Sequence, residues 1–135
     1  MIKQIKFRVE GVPGPQGSKS RGRGDRMYES SKKVKPWRDA IQYAVMLHPQ
    51  CRGSLPIIRG AVALSVTFMF LKPKTATRKY PAVAPDIDKL LRSTCDALTM
   101  AGVWEDDSRV VDLHASKRYS DWQGAVIRVA AMEEK

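Results

Sequence analysis

The chain contains no asparagine, so it cannot carry an N-linked glycan. Cysteine is scarce: Cys51 and Cys95 are the only two, too few for a disulfide framework and without the spacing of metal ligands. Long apolar runs are missing as well. The longest, Ala61 to Leu71, holds eleven residues and includes Ser65 and Thr67, well short of the roughly 20 that a membrane-crossing helix needs. Met1 to Lys6 lacks the apolar stretch of a secretory leader. These shortages point to a reducing cytoplasm, a thiol at Cys95 that is buried and inert, and no membrane partner.

Acid is also in short supply, and unevenly so. Against 24 Lys and Arg there are 14 Asp and Glu, giving a net charge of +10. Residues 1–80 hold seventeen basic and four acidic side chains, net +13, whereas residues 81–135 hold seven and ten, net −3. A field of that sign attracts polyanions, of which nucleic acid is the commonest in a cytoplasm. Solubility alone, or an anionic lipid surface, would also use such charge. Against lipid, no amphipathic helix pairs a basic face with bulky apolar anchors. Seven of the fourteen acids fall between Asp86 and Asp112. A basic chain with one acidic cluster suggests a metal site set within a polyanion-binding surface.

What is present suffices for a core: 135 residues, 43% of them apolar, read as one domain over 1–135 without internal repeats. Ile5, Phe7 and Val9 alternate with charged residues, the pattern of a half-buried strand. Gly11 to Arg26 is Gly- and Pro-rich and reads as a loop with a basic tip. Trp37, Ile41, Ala44, Val45 and His48 recur at helical spacing, predicting a helix from about Lys33 to His48 with Pro36 confined to its first turn. Val62, Leu64, Val66, Phe68 and Phe70 alternate as a strand whose second face is also fairly apolar, so a central strand covered on both sides is expected. Ile87, Leu91, Thr94, Cys95 and Leu98 predict a helix ending near Gly102. Val110–Tyr119 and Ala125–Ala131 read as strands joined in a hairpin at Ser120–Gly124. The order β-α-β-α-β-β gives an α+β fold: a mixed sheet of about four strands flanked by two helices.

Asp86 and Asp88 straddle the start of the second helix. With Asp88 as N-cap and the helix beginning at Lys89, both carboxylates can converge beside a helix N-terminus that favours negative charge. Hard oxygen ligands of this kind suit Mg²⁺ or Mn²⁺ rather than zinc. Ordinary capping by one Asp, with the other solvated, explains the same pair. Asp106 or Asp107, in the turn after Trp104, supplies a third carboxylate if that turn lies beside the helix start, and is otherwise a solvated acidic turn. Arg92 either neutralises phosphate or forms an i,i+4 pair with Asp88 or Asp96, of which Asp96 is the favoured structural partner.

The run from Pro85 to Asp112, P-D-I-D-K-L-L-R-S-T-C-D-A-L-T-M-A-G-V-W-E-D-D-S-R-V-V-D, resembles the core signature of the RusA family of Holliday junction resolvases: D-x-D-N-L-x-K, then D-A-L, a glycine turn, and D-D two residues before a valine pair. Tyr28, Ser30, Trp37 and Arg38 resemble its N-terminal half less specifically. The resemblance implies a homodimeric, Mg²⁺-dependent endonuclease, with Mn²⁺ as a substitute and no organic cofactor, that nicks two strands symmetrically at a four-way DNA junction in recombination and repair. By position it makes Asp86, Asp88 and Asp107 the metal-binding and catalytic acids, with Asp106 adjacent. Two departures stand out. Lys89 replaces the usual Asn, and Arg92 replaces the helix lysine, keeping the charge but not an easily donated proton.

Lys19, Arg21, Arg23, Arg26 and Lys32 to Lys35 on one side, and Lys72, Lys74, Arg78 and Lys79 on the other, are expected to contact phosphates, as is Lys89. Solvated surface charge is the alternative for each group. Tyr28 or Tyr80 could stack on an unpaired base. His48 and His114 read as structural. Two rival functions remain: a branched-DNA-binding protein without catalysis, and a nuclease preferring flaps or forks. A bacterial or phage-infected cell is the expected setting.

Overall fold

In a computed structural model, residues 2–17, 24–53 and 55–133 are described; for 24–31 only the backbone path is given. Strand β1 (Gln4–Glu10) alternates exposed and buried along its whole length. Helix α1 (Gly24–Leu47) follows, then a 3₁₀ turn at Pro49–Cys51, strand β2 (Val62–Leu71), helix α2 (Ile87–Met100), a second 3₁₀ turn at Asp107–Arg109, and strands β3 (Val110–Ser120) and β4 (Gly124–Ala131). The α+β order expected from the pattern is the observed one. Helix α1 begins well before Lys33, however, and Pro36 lies inside it. Proline cannot donate the i→i−4 bond there, so the residues on either side hold the helix.

The sheet order is β1-β4-β2-β3, with β2–β3 parallel and the other pairs antiparallel. Strands β3 and β4 are therefore not a hairpin: β2 lies between them. The reason is in the side chains. Strand β2 buries Val62, Leu64, Val66 and Phe68 almost completely, which favours a place with a ladder on each flank. Strand β3 carries exposed Asp112, His114 and Arg118, which belong on an edge. The short link through Asp121–Gln123 crosses two strand spacings, roughly 10 Å, and is tied down where Gly11 N–H donates to the Gln123 carbonyl at 3.2 Å.

Both helices pack on one face of the sheet, around a single core that includes Trp37, Ile41, Val45, Phe68, Leu90, Leu98 and Trp104. Among the described residues no helix covers the other face. On it Ala63, Ser65, Thr67 and Met69 are only half-buried, so the expected double cover is absent. Trp37 joins the layers: its ring lies 6.5 Å from that of Phe68, and Nε1–H donates to Thr94 Oγ1 at 3.1 Å. Helix α2 buries Leu90, Ser93, Thr94, Ala97 and Leu98, so Ile87, Leu91 and Cys95, counted as core from their spacing, sit only at its margin.

Helix α2 ends as the glycine predicts. Gly102 has φ +77, Val103 N–H returns to Leu98 O and Gly102 N–H to Thr99 O, both at 3.0 Å, a Schellman closure. The loop after β1 is equally constrained. A Cβ on Gly14 would lie 2.2 Å from the Lys33 carbonyl oxygen, Ser93 Oγ–H donates to Gly14 O at 2.5 Å, and Gln16 N–H donates to Lys89 O at 3.0 Å. These contacts hold residues 11–17 against the first turns of α2.

Candidate functional site

Helix α2 starts two residues earlier than expected. Asp86 is the N-cap, with extended φ −70 and ψ 139, and Leu90 N–H donates to its carbonyl at 3.1 Å. Asp88 therefore sits in the first helical turn, not at the cap. The Asp86 carboxylate makes no capping bond; it lies 3.5 Å from Lys89 Nζ instead. Both acids are exposed, at the end of a helix whose dipole favours negative charge.

Arg92, one turn beyond Asp88, is exposed and forms no ion pair among the described residues. Its expected partner, Asp96, is taken by Arg38 of α1 at 3.2 Å, whose guanidinium also donates to Gln16. A partly buried inter-helix pair has displaced the i,i+4 one. Arg92 is left to face solvent on the same side of α2 as Asp88.

The third acid comes from the turn that opens β3. Asp106 is its N-cap, accepting from Ser108 N–H at 3.0 Å, and hydrogen bonds from the Ser108 side chain and then its backbone hold the carboxyl below the usual range. Asp106 thus serves the turn, leaving Asp107 exposed beside it. Asp107 lies within electrostatic reach of α2. Its charge is felt at Cys95, whose thiol is pushed up to about 11, mainly by burial and further by Asp107 and Asp96. Cys95 follows Asp88 by seven residues, on the same face and about 10 Å along the axis. Asp86 at the cap points toward Lys89 while Asp88, two residues on, leaves the helix on another side, and among the described residues no group of three His, Cys, Asp or Glu is close enough to share an ion. The donor chemistry nonetheless fits Mg²⁺, which takes one or two carboxylates and keeps waters and phosphate oxygens for the rest.

This arrangement has a direct check. In Asp107→Asn the Cys95 thiol loses a negative neighbour, so its pKa falls and alkylation by iodoacetamide sets in at lower pH than in wild type. An unchanged pH profile would place Asp107 away from α2.

Cations surround the start of α2. A cavity of about 430 Å³ is lined by Pro13, Lys33, Phe70, Pro85, Asp86 and Lys89. Lys72, Lys74, Arg78 and Lys79, all exposed, lie on the segment running from β2 to α2. Lys117 was not singled out in the sequence, because a lone lysine in a strand carries no signal. From β3 its Nζ donates to the carbonyls of Val83 at 2.7 Å and Pro85 at 2.8 Å, fixing the chain that delivers Asp86. Lys32 and Lys33 are exposed, and Lys35 pairs with Asp39 at 2.9 Å. Lys19, Arg21, Arg23 and the side chains of Arg26, Tyr28 and Ser30 lie outside the described residues. Tyr80 is exposed, with Lys79 Nζ 5.5 Å from its ring.

His48 has a structural role: Nδ1 accepts from Gln50 N–H at 3.1 Å, which leaves the proton on Nε2, 3.1 Å from Lys6 O. No helix among the described residues is long and apolar enough to cross a membrane.

The chain matches the family described as endodeoxyribonuclease RusA over residues 9–130. It is also 32% identical over 132 residues to a Bacillus subtilis (strain 168) protein named "Uncharacterized protein YqaN", covering 87% of this chain and 89% of that one.

Proposed function

The chain belongs to the RusA family of endodeoxyribonucleases, and from that premise we propose that it is a Mg²⁺-dependent nuclease that resolves four-way DNA junctions as a homodimer. The observation that carries the reading is the pair of exposed carboxylates, Asp86 and Asp88, at the start of α2, with exposed Asp107 in the turn that opens β3, bordered by Lys33, Lys89 and Arg92. Fixed negative charge on the rim of a basic surface opposes DNA binding unless a cation intervenes. Asp86 and Asp88 would hold that cation, with Asp107 adding negative charge nearby; when bound it would lower the pKa of a water and offset charge on the phosphate under attack.

The remaining steps fall to the chain's own groups. Arg92, not neutralised by any described acid, faces the phosphate and offsets its charge. A guanidinium does not give up a proton at neutral pH, so the leaving oxygen takes its proton from solvent. Lys33, Lys74, Arg78 and Lys79 contact flanking phosphates, which gives affinity without sequence preference. A two-fold dimer matches the two-fold symmetry of the paired cuts.

One observation favours a second reading. Lys89, where the family signature has Asn, pairs with Asp86 at 3.5 Å and competes with a cation for that carboxylate. On this reading the protein binds branched DNA without cutting it.

A labelled synthetic four-way junction, with flap and fork controls, decides between them. Paired symmetric nicks that require Mg²⁺, from a protein sedimenting as a dimer on the junction, are the expected result. Tight binding with no nicking would overturn the nuclease reading in favour of the second. Nicking of flaps or forks alone would overturn the junction preference.

A further inference from the structure

A second cavity, of about 160 Å³, adjoins the first across Phe70, Ala84 and Pro85. We propose that it is a base-binding site, which takes one unstacked nucleobase of the bound DNA against the Tyr119 ring; this rests on the junction-binding reading above. Tyr119 is the register partner of Phe70 across β2–β3, so the two aromatic side chains stand side by side on the sheet. Pro81 and Val83 add apolar wall. A bare phosphate gains nothing from such a lining. At this volume the cavity is also below the roughly 300–1,000 Å³ of pockets that enclose whole small molecules, and it suits a single planar group of a larger ligand.

The charge around it identifies that ligand as anionic. Arg78 Nε–H donates to the Tyr119 hydroxyl at 2.7 Å, with the guanidinium carbon 5.8 Å from the ring centre, so this cation is held at the hydroxyl end of the ring. Lys72 Nζ stands 6.0 Å from the same ring, and Lys117 lines the cavity while bonded to the Val83 and Pro85 carbonyls. A planar apolar slot with cations on its rim is the chemistry of a nucleotide: the base inside, the phosphates at the edge. Continuity with Asp86 supplies the geometry, since Pro85 lines both cavities and the next residue is the acid. Bases beside a junction crossover are already poorly stacked, which lowers the cost of taking one out.

The test couples protein and DNA changes, with binding measured in EDTA so that it does not depend on cleavage. Tyr119→Leu keeps bulk but removes the π-face, and is expected to weaken junction binding about 5- to 150-fold, whereas Tyr119→Phe, which keeps the π-face and loses only the hydroxyl that holds Arg78, is expected to lose less. Removing one base beside the crossover should weaken wild type comparably while leaving Tyr119→Leu unaffected, because the two changes delete the same contact. Independent, additive losses, or no loss in Tyr119→Leu, would overturn the proposal. Should Tyr119→Leu fold poorly, wild type alone decides: photo-crosslinking with 5-iodouracil beside the crossover is expected to yield an adduct at Tyr119, and adducts confined elsewhere would refute it. Mg²⁺-dependent nicking of the same junction is scored separately. Nicking without the Tyr119 adduct removes only the base site; the adduct without nicking removes only the nuclease reading.

Discussion

Asp88→Asn is expected to abolish Mg²⁺-dependent nicking of a four-way junction, by a factor on the order of 10³, while junction binding is unchanged or tighter. The shape of the side chain is kept and only its charge is lost. That charge repels phosphate in the absence of a cation, so removing it cannot weaken an electrostatic complex. Asp88 is exposed, in the first turn of α2, and makes no hydrogen bond or ion pair among the described residues. The structural cost is then only a carboxylate near a helix N-terminus, about 0.3–1 kcal/mol. A melting temperature within a few degrees of wild type would separate lost chemistry from lost fold. Nicking that survived in Asp88→Asn would remove this acid from the site.

The largest loss of stability is expected from Trp37→Ala. Trp37 is 1% exposed and is the point at which α1, α2 and the sheet meet, through Phe68 and Thr94. Truncating a buried Trp costs about 3–5 kcal/mol, a fall in melting temperature on the order of 10–20 °C for a domain of this size. Trp37→Phe keeps most of the packing but leaves Thr94 without its donor, a loss of about 1 kcal/mol. Equal losses from the two variants, measured by thermal or urea unfolding, would mean that the hydrogen bond rather than the packing holds the layers together. Because Gly14 and Gln16 brace the first turns of α2 from the same side, Trp37→Ala should also lower nicking at temperatures well below its melting point.

Element types were legible in the sequence because they depend on local periodicity. Ile5, Phe7 and Val9 alternate as a strand does, and Gly102 closes α2 because only glycine accepts its positive φ without strain. Boundaries were less legible. Asp86 and Asp88 are both good caps, and the choice fell to Asp86 through the Leu90 N–H bond, with which the helix begins. The basic loop and the acidic cluster were visible as composition, and the spacing of Asp86, Asp88 and Asp107 as a family signature.

Neighbours across the sheet and between helices were not legible, since such contacts join residues far apart in the chain. No local pattern tells β4 to pair with β1 and β2 rather than with β3. That follows only when β2, the most apolar strand, takes a ladder on each side and leaves the charged β3 at the edge. Asp96 had a suitable partner one turn away in Arg92, yet Arg38 of the other helix reached it, and Arg92 was thereby left exposed. Lys117 and Tyr119 gave no signal because neither belongs to a motif. Their meaning comes from the fold, which sets β3 beside the segment leading into Asp86. The sequence by itself determined the type and spacing of the acids and cations. The tertiary structure decided which charges stay unpaired and which surfaces lie next to them, because pairing and adjacency are settled by packing rather than by order along the chain.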